Sequence, residues 1–242
     1  MRTLRGFCHW THALAEVKCI GERENSPMNH PLAELSIQLS PYAAPDANEL
    51  TGLVADAFST REPLGIALGI THAEFANFLH SFLLSSDVQE LTVVARRADT
   101  GELVGALLSE DGASDSGETV EAAGEKFAAV GRILGRLDQM GCTEKAPARG
   151  RVLHMFMLAV SERAAGMGIG ERLVRACMEA AIRKGYRIAV AECTGKTSQH
   201  VFHKLGFIER AMIPYADHEF EGKRVFAGIA EYGGAILMEK ML

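Results

Sequence analysis

Read for period alone, the chain divides into a first half of helix-spaced apolar positions broken by one hairpin and a second half in which strand runs alternate with amphipathic helices. Residues 1–33 hold no sustained period and carry Gly21, Pro27 and Pro31, which reads as an N-terminal extension outside the fold, with Met28 as an alternative start. The pattern predicts a strand over Leu35–Leu39 and a helix from about Asp46 that places Leu50, Leu53, Val54, Ala57 and Phe58 on one face. Thr71 with Glu74 three residues later has the spacing of a capping box and predicts a second helix to about Leu84. Leu91–Arg97 and Glu102–Leu108 read as two strands of a hairpin turning at Asp99-Thr100-Gly101. Glu110–Gly117 reads as an exposed acidic loop. Val120, Phe127, Val130, Leu134 and Leu137 then recur at helical spacing up to Gly141, and Gly141–Gly150 reads as a linker.

The remainder is more regular. Val152–Val160 is a continuous apolar run suited to a buried central strand. A helix over Gly168–Lys184 buries Ile169, Leu173, Cys177 and Ala180, ending with Arg183 and Lys184 before Gly185, as a helix C-terminus should. Tyr186–Ala191 is a further strand, Ser198–Leu205 a short helix stopped by Gly206, and Ile208–Pro214 and Ala235–Met241 two more strands. Strand, helix and strand around a buried sheet mean an α/β protein, with residues 34–242 forming one domain and 110–149 an insertion that holds a helix.

Composition narrows the classes. With 48% hydrophobic and 23% charged residues the chain is an ordinary globular one, and its net charge of -6 argues against a dedicated nucleic-acid binder. No apolar run approaches the ~20 residues that span a bilayer, so no membrane partner is expected. The five cysteines, Cys8, Cys19, Cys142, Cys177 and Cys193, are scattered without C-x-x-C spacing, which points to neither a structural metal nor a disulfide framework, and to a reducing, cytoplasmic setting. Nothing here separates a monomer from a homodimer.

The chemistry concentrates in Val160-Ser-Glu-Arg-Ala-Ala165-Gly166-Met167-Gly168-Ile169-Gly170. A strand enters a turn of alternate glycines that opens an amphipathic helix, so unobstructed amides and the helix N-terminus can converge on an anion such as a pyrophosphate. Three readings compete. The G-x-G-x-x-G of a dinucleotide fold needs its third glycine where Glu171 stands, and too little chain follows Glu192 for a second nucleotide half. A Walker loop needs Gly-Lys-Ser/Thr at its end; the one such triplet, Gly195-Lys196-Thr197, has Val190 in place of the first glycine. The third reading rests on likeness: the segment resembles motif A of the GNAT superfamily of N-acetyltransferases, a strand followed by R/Q-x-x-G-x-G/A. It departs from that motif in having Ala165 where Arg or Gln is usual. Downstream, Ser198-Gln-His-Val-Phe202-His-Lys204-Leu205-Gly206-Phe207 resembles motif B, with Phe202 where many members place a tyrosine that protonates the leaving thiolate.

The resemblance implies a mixed, twisted central sheet with helices on both faces, and acetyl-CoA as co-substrate. It assigns the donor to the main chain of Leu158, Ala159 and Val160, to the loop Ala165–Gly170, and to Phe202. It implies direct acetyl transfer to a small primary amine; the rivals are a protein N-acetyltransferase, with a broad acceptor groove, and a silent CoA-binding sensor, suggested by Ala165 and Phe202.

Two residues compete as general base. Arg61-Glu62-Pro63-Leu64 is similar to the D-E-P-L segment of arylalkylamine (dopamine) N-acetyltransferases, whose glutamate is the base, and the two serines of that family match Thr194 and Ser198, a possible proton relay; the plain alternatives are a helix end at Pro63 and a cap at Ser198. His154 is the rival, placed by parity on one face with Val152, Phe156, Leu158 and Val160, or else a hydrogen-bonded core histidine. Asp217 and Glu221, in the polar connection after Pro214, would suit a cationic acceptor, if that connection is not a solvated loop.

Overall fold

The computed structural model describes residues 36–84, 86–114, 120 and 123–242; the extension predicted for residues 1–33 lies outside the described residues. Strands β1 (Ile37–Pro41), β2 (Val93–Arg97), β3 (Leu103–Asp111), β4 (Val152–Val160), β5 (Ile188–Cys193), β6 (Ile208–Pro214) and β7 (Gly234–Met241) form one sheet in the order β1-β2-β3-β4-β5-β7-β6. Every pairing is antiparallel except β4 with β5. The α/β architecture with helices on both faces is therefore as expected.

Helices α1 (Ala47–Thr60), α2 (Pro63–Leu68), α3 (His72–Leu83), α4 (Ser86–Leu91) and α5 (Glu125–Gly141) precede β4, and α6 (Ile169–Lys184) and α7 (Lys196–Lys204) follow it. The capping box of α3 is formed: the Glu74 amide donates to Thr71 Oγ1, and the Thr71 amide to Glu74 Oε2. Lys126 ties α5 to that same corner through Glu74. Helix α6 seats Ile169, Leu173, Val174, Cys177, Met178 and Ala181 on the sheet. Its start fits because β3 has no side chain at Gly105, where a Cβ would come within 2.9 Å of Ile169. The opposite face packs α1, α3 and α5 over Ala106, Leu108, Met157 and Val190.

Four expectations are corrected. Helices α2 and α4 were unforeseen, and Leu91 ends α4 rather than opening β2. Glu110 and Asp111 are no loop: they complete β3 and are buried, and the carboxylate of Asp111 accepts from the Ala113 and Gly150 amides and the Tyr186 hydroxyl. In α5 the buried positions are Phe127, Ala129, Ile133 and Leu137, a face rotated from the predicted one.

The fourth concerns β4. Leu108 faces Met157 and Ser109 faces Met155, so Phe156 is an extra residue, a β-bulge. The bulge reverses the alternation: Leu153 and Met155 pack in the same core as Leu158 and Val160, while Met157 and Ala159 turn to the other side. His154 therefore shares its face with Phe156, not with Leu158 and Val160.

Candidate active site

Strands β4 and β5 pair only through Val152–His154 and Ile188–Val190, although both continue beyond, so they part toward their C-terminal ends. The Ser161 amide donates to Val104 O, which makes Val160 and Gly105 a non-hydrogen-bonded pair. The main-chain N–H and C=O of Val160, and by alternation those of Leu158, consequently point away from β3 into the gap, whereas those of Ala159 face β3.

Residues 61–63 cross that gap. Arg61, just past α1, donates from Nη2 to Val160 O at 2.9 Å on the β4 side. On the β5 side the Thr194 hydroxyl lies near enough to the Glu62 carboxylate to lower its pKa, and the Pro63 ring lies 3.5 Å from the Cβ position of Gly195. Glu62 is held by its own helix: as N-cap of α2 it accepts from the Leu64 amide (3.0 Å) and the Gly65 amide (2.6 Å), and Pro63 takes the first helical position, where no amide is needed. The close turn also needs Gly65, since a Cβ there would run into the carbonyl of Phe58. Burial raises the pKa of Glu62 above the ordinary carboxylate range, and the Gly65 amide, the Thr194 hydroxyl and the Leu64 amide offset it in part.

Around Glu62 sit the other predicted groups. Ser198 donates to Gly195 O at 2.8 Å, and its hydroxyl lies near enough to the Cys193 thiol to lower the thiol's pKa slightly against the effect of burial. Tyr215, absent from the sequence-derived candidates, is fully buried and donates its hydroxyl to Thr194 O at 2.6 Å; burial, with Glu62 and Cys193 nearby, pushes its pKa far up. Phe202 is buried against Phe207, its ring 4.9 Å away, within the core rather than at the gap.

His154 stands apart from this cluster. Its Nδ1 is 2.9 Å from Glu110 Oε1 and its Nε2 2.8 Å from Glu192 Oε2. Burial alone would lower its pKa, but Glu192 and Glu110 outweigh it and hold the imidazole well above its ordinary value; the same pairing outweighs burial at Glu192 and holds that carboxyl low. A protonated ring between two carboxylates has no lone pair with which to accept a proton. No sequence pattern marks Glu110 and Glu192 as its partners, because they come from two other strands.

The glycine loop has the predicted geometry. Gly166 and Gly168 adopt φ of 77° and 71°, conformations that favour glycine, and a Cβ at either would meet nothing within 4 Å. From Gly166 to Glu171 no amide donates to another main-chain oxygen among the described residues. Residues 165–168 are exposed, and a Cβ at Gly170 would lie 3.6 Å from the Leu158 side chain, so this row of donors opens beside the gap. An extended thioester carrying a diphosphate fits such a surface: free amides and the α6 terminus for the diphosphate, the β4 edge for the acyl arm. Asp217 and Glu221 are exposed. Among the described residues no His, Cys, Asp and Glu cluster suits a metal ion, and no helix is long and apolar enough to cross a membrane.

Comparison with known proteins agrees with this geometry. The sequence model of the acetyltransferase (GNAT) family matches residues 71–207, more than half of the chain. Among solved structures, the chain is similar to arylalkylamine N-acetyltransferase 2 of Aedes aegypti (23% identity, 85% of this chain and 98% of that one, TM-score 0.72). It is also similar to the C-terminal condensation domain of Ebony in complex with beta-alanyl-dopamine (15%, 86% and 100%, 0.74). A third is the Drosophila melanogaster polyamine N-acetyltransferase that catalyses formation of N-acetylagmatine (18%, 86% and 100%, 0.70). At these identities the likeness is one of fold. No curated protein sequence matches the chain significantly.

Proposed function

Because the chain belongs to the acetyltransferase (GNAT) family, we propose that it moves the acetyl group of acetyl-CoA to the primary amine of a small molecule by direct attack in a ternary complex. The observation that carries this reading is the crossing at residues 61–63. It sets a carboxylate of raised pKa beside the Thr194 hydroxyl and ties both to the splayed β4 edge. Acetyl-CoA, when bound, supplies the activated acyl group as a thioester.

Glu62 is the general base in this scheme. Its carboxylate takes a proton from the ammonium form of the acceptor, directly or through a water, and its raised pKa makes it a better acceptor than an exposed carboxylate. The Leu158 and Val160 amides lie on the edge that would polarise the acyl carbonyl. With Phe202 lacking a hydroxyl and buried, the proton for the departing thiolate falls to the Thr194, Ser198 and Tyr215 hydroxyls gathered at the end of β5. Cys193 is buried, and burial pushes its thiol far above its ordinary value, so an acyl-cysteine route is disfavoured and direct transfer favoured. Arg61 supplies a guanidinium at the β4 edge, held by its bond to Val160 O.

The test is chemical identification of product. Incubation with acetyl-CoA and a panel of arylalkyl, polyamine and amino-acid amines should give an acetylated amine by mass spectrometry. Recovery of every amine unchanged, with acetyl-CoA bound, would support a silent binding protein instead.

A further inference from the structure

Main-chain pairing of the parallel strands β4 and β5 ends at His154 opposite Val190. Leu158 and Thr194, which the proposed chemistry sets on the two sides of the gap, each lie four residues past that point, about 13 Å in extended chain at ~3.3 Å per residue. Halfway to Thr194 stands Glu192. Its Oε2 is 2.8 Å from His154 Nε2, and among the described residues this is the only side-chain hydrogen bond that joins β4 to β5. The other ring nitrogen, Nδ1, lies 2.9 Å from Oε1 of Glu110, the residue directly opposite His154 on β3. One imidazole therefore bars three strands together where the gap begins. The bar is not sealed in the core: the side chain of His154 is 22% exposed, that of Glu192 9% and that of Glu110 4%. Phe156, and beyond it Phe82 of α3, flank the ring. The further charged groups on this face are Asp138 of α5 and Glu239 of β7; Glu239 is engaged by Thr143 and Arg210, and burial keeps the thiol of Cys142 beside them neutral. Glu110 and Glu192 are thus the charges that meet the ring, and they hold it protonated well above its ordinary value.

We propose that His154 is a positioning residue, whose bridge to Glu192 sets the separation of Leu158 from Thr194 and so the fit of the donor's acyl arm between the two strands. The inference rests on the acetyltransferase reading and adds to it a residue that touches neither substrate. Because Glu192 lies halfway along, a shift of β5 there is roughly doubled at Thr194. The charge of the ring decides whether the bar holds. An imidazolium donates to both carboxylates, whereas a neutral ring has one N–H and one lone pair. Glu110, the more deeply buried of the two, keeps the N–H; the lone pair then faces Glu192, acceptor against acceptor, and the bar opens. A glutamine at 192 would close it in either state, its carbonyl accepting from the charged ring and its amide donating to the neutral one.

The test is the affinity for acetyl-CoA, measured by titration calorimetry at successive pH values from neutrality upward for wild type, Glu192→Gln and Glu192→Ala, beside an NMR titration of the His154 ring and circular dichroism at each pH. Acetyl-CoA itself, a thioester with its phosphates already ionised, does not change charge over that range. Wild-type affinity should fall about tenfold in step with the ring's titration, at unchanged circular dichroism, as expected for one lost charged hydrogen bond. Glu192→Gln should bind within about threefold of wild type at neutral pH and hold that affinity as pH rises, while Glu192→Ala should bind about tenfold more weakly already at neutral pH. Wild-type affinity that stays constant through the ring's titration, a fall in Glu192→Gln equal to that of wild type, or Glu192→Ala binding as tightly as wild type would each overturn the positioning role and leave the acetyltransferase reading standing. Failure of the wild type to bind acetyl-CoA at any pH would overturn both.

Discussion

Tyr215 donates its hydroxyl to the main-chain oxygen of Thr194 at 2.6 Å, while the Thr194 hydroxyl lies near enough to the Glu62 carboxylate to lower its pKa. One residue at the end of β5 thus couples a buried phenol to the proposed base. Tyr215→Phe should lower kcat by a factor of a few to tenfold with KM for acetyl-CoA little changed, and cost about 1 kcal/mol of stability for one lost hydrogen bond. Steady-state kinetics with both substrates varied, alongside denaturant melts, reads both effects; a change confined to KM for acetyl-CoA would place Tyr215 elsewhere in the scheme.

Glu62 acts in its ionised form, so activity should rise with pH through its raised pKa, giving an acid limb above the ordinary carboxylate range. Glu62→Gln should reduce kcat by about 10²–10⁴ and abolish that limb. The stability sign runs the other way. A carboxyl whose folded pKa is raised favours the native state while it is protonated, and loses that contribution as pH rises through the folded value. Glu62→Gln lacks that pH dependence but leaves one of the Leu64 and Gly65 amides facing a side-chain NH2, so it should melt below wild type by about 1 kcal/mol at low pH, a deficit that narrows as pH rises through the folded value of Glu62.

His154 is expected to matter for stability rather than proton transfer. With its pKa raised, its contribution is complete below the unfolded value near 6.5 and is lost as pH rises through the folded value. His154→Ala leaves Glu110 and Glu192 buried without the imidazolium between them and should cost about 3–5 kcal/mol. Histidine NMR titration checks the assignment: a His154 ring that titrates at or below 6.5 would undo it.

The donor loop makes a separable prediction. Gly168→Ala should raise KM for acetyl-CoA about tenfold through its left-handed backbone, which costs a non-glycine residue about 1–2 kcal/mol, since a Cβ meets no neighbour there. Ala165→Arg, which restores the family's usual cation at an exposed position, should lower KM for acetyl-CoA and leave KM for the amine unchanged. An unaltered acetyl-CoA KM in both variants would remove the loop from the donor site.

What the sequence discloses and what it hides divide along physical lines. Gly166, Gly168 and the Thr71–Glu74 box were legible because each answers a local backbone requirement. Helix α2 was not: it is six residues long, and Pro63 looks the same whether it stops α1 or starts the next helix. Glu110 and Asp111 looked solvated because a run of acids and glycines has loop composition; what buries them is His154, Gly150 and Tyr186, all distant in the chain. The bulge at Phe156 leaves the apolar run of β4 unbroken, so strict alternation put His154 on the wrong face. Glu62 could be proposed from a resemblance, whereas its tie to Thr194, and the place of Tyr215 beside them, needed the β5 end and the β6–β7 connection brought together.

The most direct test is the rate of free thiol release from acetyl-CoA by the purified protein, with and without a primary amine, for wild type and Glu62→Gln. Amine-dependent release by the wild type, reduced at least tenfold in Glu62→Gln at unchanged acetyl-CoA binding, is the predicted result. Tight acetyl-CoA binding with no thiol released in the presence of any amine would contradict it.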